Sequence, residues 1–292
     1  MHTEAVHPPA SLADRVPPHA YFAGSAVFHY LGPSFAVLLF ASVAPLGVAW
    51  LRIAIAGAIF GLWKRPWRVF ARLGSRDRWL VVLLGLVLAA MNSVFYLAIA
   101  KLPLATVGAM EFVGPILLAA FGMRSRRNWL ALAVTVAGLA GLVQVRLEGE
   151  PLGFVFGFAN AALFAAYVAI GHRVASSASA TSPVDRLAAA MAVATVFALP
   201  LGIGDALPAF HSPMLLLAAA GVAVSSSVVP YICDQLAMRR LPQASFALML
   251  AILPAMATLI GYLVLGQRLS AVEIGGVLLV ALGIAIHRPA AA

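Results

Sequence analysis

Two ionisable side chains lie deep inside apolar stretches of this 292-residue sequence. Glu111 stands in LPLATVGAMEFVGPILLAAF (102–121), and Arg52 in PLGVAWLRIAIAGAIF (45–60). A charge in hydrocarbon is costly, so such positions are functional candidates by default. Glu111 could receive a substrate ammonium group or take up a proton; the alternative is a structural carboxyl bonded to a neighbouring helix. Arg52 offers a planar fork of donors to a substrate carboxylate or to Glu111, unless it snorkels to the near end of its helix.

Neutral polar residues are scattered through similar runs: His29, Asn92, Tyr96, Asn160, Tyr167, Ser227, Tyr231, Gln235 and Ser245. Singly, each suits an interhelical hydrogen bond. As a set they provide what a zwitterion requires, acceptors for an ammonium and donors for a carboxylate. Asn92 and Tyr96 are four apart and share a helix face. Phe95, Phe112 and Phe164 are candidates for an apolar wall. Asp234, close before Arg239 and Arg240, reads as a surface ion pair.

Other chemistries have no motif here. The sequence has no HExxH, GxSxG, P-loop or paired-aspartate motif, which argues against an intramembrane enzyme and against ATP drive within this chain. A channel would need a ring of subunits or a continuous polar lining. The single cysteine, Cys233, allows no intrachain disulfide, and no CxxC is present. It reads as a small buried residue. No metal and no cofactor are expected.

The elements that must position these residues follow from composition. The chain is 63% hydrophobic and 10% charged, whereas soluble domains run near 45–50% and about 25%. Lipid is therefore the expected solvent. A span of about 20 apolar residues crosses the bilayer core as a helix. The expected spans are 20–40, 45–63, 79–99, 103–122, 129–146, 152–172, 185–203, 213–236, 243–264 and 271–287, an all-α integral membrane fold of ten transmembrane helices. Residues 1–19, with four prolines, read as a disordered cytoplasmic tail. Small residues four apart, Gly57 with Gly61 and Gly153 with Gly157, read as helix contacts.

The net charge of +9 sits in short clusters between apolar runs, which fits topology better than nucleic acid. With the amino terminus inside, 15 of the 19 Lys and Arg residues fall on the cytoplasmic side. Three, Lys101, Arg146 and Arg268, fall outside, and Arg52 lies within a span. A miscounted helix would mix the two sets. Both termini are therefore expected in the cytoplasm.

The two halves repeat. A shift of 139 residues carries Pro103 onto Pro242, Ala105 onto Ala244 and Pro115 onto Pro254, and AIAKLP (98–103) matches AMRRLP (237–242). The next helices correspond as FGMR (121–124) and LGQR (265–268). Five helices per half would invert the second copy, a common plan for secondary transporters with a site between the halves. The expected units are 20–147 and 151–288. Pro103 and Pro242 begin corresponding helices. Pro115 and Pro254 lie inside them, each removing a backbone hydrogen bond, as hinges for alternating access or as static kinks.

The stretch MNSVFYLAIAKLPLATVGAMEFVGPILLAAF (91–121) closely resembles the threonine/homoserine exporters of the drug/metabolite transporter superfamily, EamA type. PYICDQLAMRRLP (230–242), Phe246 and Pro254 are also similar to that family, and Arg52 fits the superfamily's usual arginine in span two. The resemblance implies a bundle of two inverted five-helix EamA repeats. It also implies export of amino acids across a bacterial inner membrane: threonine- or homoserine-like, or aromatic or broad-range as in YddG-type relatives. Another small metabolite or drug is the alternative cargo. The expected partners are this substrate, membrane lipid and protons as a candidate co-ion, with the chain a monomer or homodimer. Relatives often carry Glu-Pro where this chain has Leu253-Pro254, and Gly-Glu where it has Gly266-Gln267, so the second repeat lacks that acidic group.

Overall fold

The computed structural model describes residues 16–102, 104–142, 150–256 and 270–288. Pro103, Arg146, Gly266, Gln267 and Arg268 lie outside the described residues, as do residues 1–15 of the expected tail. The described residues contain helices and no strand. In chain order they are α1 (Pro18–Leu39), α2 (Pro45–Lys64), a short α3 (Pro66–Arg72), α4 (Ser75–Ile99), α5 (Leu104–Glu111), α6 (Val113–Gly122), α7 (Arg126–Leu142), α8 (Pro151–Ser176), α9 (Pro183–Phe210), α10 (Pro213–Ala223), α11 (Val229–Met238), α12 (Gln243–Met249) and α13 (Ala271–Ile286). A π-helical turn, Val224–Val228, joins α10 to α11. Among the described residues, five helices are long and apolar enough to cross a membrane: α2, α4, α8, α9 and the continuous Pro213–Met238.

Proline and capping chemistry set the starts. Pro45, Pro66, Pro151, Pro183 and Pro213 occupy the first helical turn of their helices, where a missing N–H costs nothing. Ser182 and Asp185 form a reciprocal capping box for α9, and Ser270 and Glu273 do the same for α13. At 28 residues, α9 is about 42 Å long by its rise and so overhangs a 30 Å core. This explains why it exceeds the apolar run 185–203 expected from the sequence.

Proline also sets the interruptions. Pro115 cannot donate to the carbonyl four residues back, and the helix breaks there, between Glu111 and Val113. Pro254 stands in the same relation to Leu250, where α12 gives way to a turn before helix resumes at 252–256. Pro242 caps the start of α12. The polar Glu111 therefore sits at a discontinuity, not on a continuous helix wall.

The helices pack closely through small residues: α2 along α9, α7 along α13, α4 along both α8 and α9, α11 along α1, and α6 along α12. A methyl added at Gly138 would stand 2.7 Å from the Val280 nitrogen and 2.8 Å from the Gly276 oxygen. Gly57 abuts Thr195, while Gly153 and Gly157 abut Leu102 and Met110. Gly61, by contrast, has open space beside it. Its expected packing role is corrected: a side chain there would meet no neighbour within 4 Å. Gly138→Val should cost about 1–3 kcal/mol by overpacking. Gly275→Val, on a face with nothing within 4 Å, should leave thermal unfolding in detergent nearly unchanged.

Candidate functional site

Arg52 is buried in α2, 5% exposed. Its Nη2 donates to the Ser226 carbonyl at 2.6 Å and its Nε to Ser227 Oγ at 2.7 Å. The local sequence explains why that carbonyl needs a partner. In a regular helix it would accept from the residue four positions on, which is Pro230 and has no N–H. A π-helical turn, Val224–Val228, precedes that proline, and the arginine of α2 donates to its Ser226 carbonyl. The groove for this approach is lined by Gly32 of α1, where any side chain would collide with Ser226.

Tyr231, one residue after Pro230, is the hub of the polar set. Its hydroxyl accepts from Arg52 Nη2 at 3.3 Å and from Asn92 Nδ2 at 3.1 Å, and lies 3.3 Å from Asn92 Oδ1. Asn92 also donates to the Leu88 carbonyl at 2.7 Å. Opposite, Asn160 of α8 donates to Glu111 Oε1 at 3.1 Å, and its own Oδ1 is buried without a partner among the described residues.

These groups converge on a cavity of about 20 Å³. His29, Arg52, Asn92, Phe95, Glu111, Asn160, Phe164 and Tyr231 line it, together with Pro33, Met91 and Ser226. The volume holds about one water. An amino acid is several times larger, so the site as folded is closed, and admitting a solute requires the helices to part. Its chemistry is nonetheless complementary at two ends. The Arg52 guanidinium, bonded through Nε and Nη2 and with the Tyr96 ring beside it, lines the cavity as its cationic donor. Glu111 Oε2 and Asn160 Oδ1 are acceptors on the opposite side.

Most residues expected to meet do meet, but several readings are corrected. Arg52 neither snorkels nor pairs with Glu111: its guanidinium is held by the π-turn instead. Tyr96 lies off the cavity wall, with its ring 5.7 Å from the Arg52 carbon, within cation–π range. Ser227 holds Arg52 and does not line the cavity. Phe112 lines a separate apolar cavity with Pro115 and Ala247. Ser245 is bonded to His287 Nε2 at 2.8 Å, away from the cavity, and Gln235 Nε2 faces the Met238 sulfur at 3.7 Å. Cys233 is only partly buried.

Asp234 overturns its expected role as a surface ion pair. It is 4% exposed, accepting from Tyr167 Oη at 2.9 Å and from Ser25 Oγ at 3.1 Å. The Tyr167 ring stacks on Phe164 and lies 5.5 Å from the Tyr231 ring. A second buried acid therefore sits one helical turn from Tyr231, in the half where the sequence indicated none. The sequence gives no signal for Ser25. For the Ser226 carbonyl the signal was Pro230, four residues later.

Comparison with known proteins places this geometry. The model of the EamA-like transporter family matches residues 151–287. The threonine/homoserine exporter RhtA of Salmonella typhimurium is 34% identical over 254 residues, covering 83% of this chain and 81% of the relative. RhtA of Escherichia coli K12 is 31% identical over 247 residues, with the same coverages. A crystal structure superimposes with a TM-score of 0.66 at 20% identity, over 92% of this chain and 95% of the other, a likeness of fold. The family is one of multi-pass membrane transporters, not enzymes. A third of residues shared over five-sixths of the chain, with apolar helices closing on a buried Arg, Glu and Asn, makes this protein a member of the EamA-like transporter family within the drug/metabolite transporter superfamily, related to the RhtA exporters.

Proposed function

We propose that the protein exports neutral amino acids of the threonine/homoserine type from the cytoplasm, by alternating access around the central cavity. The observation that carries this reading is a buried cation and a set of acceptors lining one cavity. The Arg52 guanidinium is a donor for a carboxylate; Glu111 Oε2 and Asn160 Oδ1 are acceptors for an ammonium. A zwitterion is the small solute that satisfies both ends, and the related RhtA proteins are named threonine/homoserine exporters. Phe95 and Phe164 form the apolar wall for its side chain.

In this reading the chain crosses the membrane ten times as two inverted five-helix repeats, 20–147 and 151–288, with both termini in the cytoplasm of a bacterial inner membrane. The 139-residue shift supports it. It equates α1 with α8, α2 with α9, α4 with α10–α11, α5–α6 with α12, and α7 with α13. A two-fold axis between the halves must then map the α2–α9, α7–α13 and α6–α12 contacts onto themselves and exchange α4–α8 with α11–α1. All of these contacts are present. Asn92 and Tyr231 are 139 apart and hydrogen-bond to each other, as counterparts on such an axis must. Glu111 and Leu250, also counterparts, mark the two proline breaks. Pro115 and Pro254 serve as hinges, and Pro242 fixes the start of a moving helix. The substrate carboxylate competes with the Ser226 carbonyl for Arg52, so loading the site loosens α2 from the π-turn. Protons are the proposed co-ion, and the working unit is a monomer or homodimer.

The test of substrate class is a competition panel in proteoliposomes, run with and without a pH gradient. Threonine and homoserine should compete best against labelled threonine, and their methyl esters or N-acetyl forms should compete at least tenfold less. Equal competition by solutes lacking either charge would favour another metabolite or a drug as cargo.

A further inference from the structure

The polar end of α2 carries a second site, unrelated to the central cavity. Arg65 is the one non-glycine residue at positive φ among the described residues, at 50°. Side chains adopt that region at a cost. Here it lets the chain leave α2 and turn at once into α3. In α3, Pro66 and Val69 are buried, while Trp67, Arg68 and Arg72 are exposed. Arg65, Arg68 and Arg72 are spaced by three and four, so they share one face. The helix is stapled in place by Arg78, whose Nε donates to the Phe70 carbonyl at 2.9 Å.

The three arginines meet Lys64 around a cavity of about 340 Å³ that reaches Ala180, Thr181 and Asp185 across the α8–α9 turn. Its one carboxylate, Asp185, is already engaged by Lys64 at 3.2 Å and by its own capping box. None of the three guanidiniums makes a hydrogen bond or ion pair with a described residue. A fixed pocket thus holds three uncompensated cations with forked donor geometry, which suits a phosphate group. Trp63 lines it and is 57% exposed, and Trp67 on α3 and Trp79 on α4 are 62% and 63% exposed. Tryptophan at that exposure on a membrane protein belongs at headgroup depth.

We propose that this pocket binds the phosphate headgroup of an anionic phospholipid, with Arg65, Arg68 and Arg72 as its ligands and the tryptophans flanking its glycerol and acyl ends. Free phosphate offers the same chemistry, but only a lipid also uses the aromatic surround. Basic pockets between helices at a membrane face hold anionic headgroups in this way. This site is independent of what the central cavity carries.

Native mass spectrometry of the full-length protein in detergent, titrated with dioleoylphosphatidylglycerol or dioleoylphosphatidylcholine, tests it. Wild type should retain phosphatidylglycerol selectively. Removing each arginine should weaken retention about fivefold, and R65Q/R68Q/R72Q on the order of a hundredfold. R124Q/R126Q, at another basic cluster, should retain it like wild type. Should the triple variant fold poorly, R68Q alone still has to show its fivefold loss. Unchanged retention by the arginine variants, or equal retention of phosphatidylcholine, overturns the proposal. Displacement of the lipid by millimolar inorganic phosphate would make this a soluble-anion site and overturn it equally.

Discussion

Arg52→Met should reduce amino-acid flux to background and lower thermal stability at the same time. The guanidinium makes three hydrogen bonds that link α2 to the π-turn and α11. Removing it takes from the Ser226 carbonyl its side-chain donor, in a segment where Pro230 cannot provide the usual helical one. An unsatisfied backbone group in a membrane interior costs several kcal/mol. Arg52→Lys separates the two effects. An ammonium restores the charge and one bond but not the fork. That variant should fold, with its unfolding temperature between those of wild type and Arg52→Met. Its flux should still fall about tenfold to a hundredfold, the worth of one charged hydrogen bond to substrate at 1.5–3 kcal/mol. Wild-type flux in Arg52→Lys would make Arg52 a structural clamp alone.

Glu111→Gln should cut flux at least about tenfold while leaving insertion and folding intact. Glutamine has the same shape, and its amide oxygen still accepts from Asn160. What disappears is the carboxylate that meets an ammonium or a proton. The protein should therefore elute as a monodisperse peak and unfold within a few degrees of wild type. Normal transport by this variant would assign Glu111 to structure. Glu111→Leu, which copies the residue at the equivalent position in the second half, Leu250, should lose flux and also leave Asn160 with both ends unpaired.

The helical order of this fold was legible because lipid enforces it: each expected span overlaps a helix among the described residues, five of them long and apolar enough to cross a membrane. Of the prolines inside spans, Pro115 and Pro254 accompany breaks, whereas Pro33 and Pro200 lie in unbroken helices. Short elements were less legible. Seven residues of α3, PWRVFAR, carry too little apolar length to register as a span and too much charge to look buried. The central site was legible as a list, since buried Arg, Glu, Asn and Tyr are costly in hydrocarbon wherever they occur. Its pairings were not. Arg52 and Glu111 look like partners by charge, yet the guanidinium is bonded to the Ser226 carbonyl, Ser227 and Tyr231 instead. Asp234 looked solvated because Arg239 and Arg240 follow closely. Helix periodicity instead turns it inward to Ser25 and Tyr167, contacts 209 and 67 residues away in sequence. Phe112 was misplaced because consecutive helical residues point about 100° apart, so it and Glu111 line different cavities.

The most direct measurement of the central account is flux of labelled threonine through purified protein in liposomes, as initial rate against concentration. A saturating rate, abolished in Arg52→Met and depressed in Glu111→Gln, is the result expected if the cavity between the halves is the transport site. A rate that rises linearly without saturation, or one that both variants leave untouched, would contradict it.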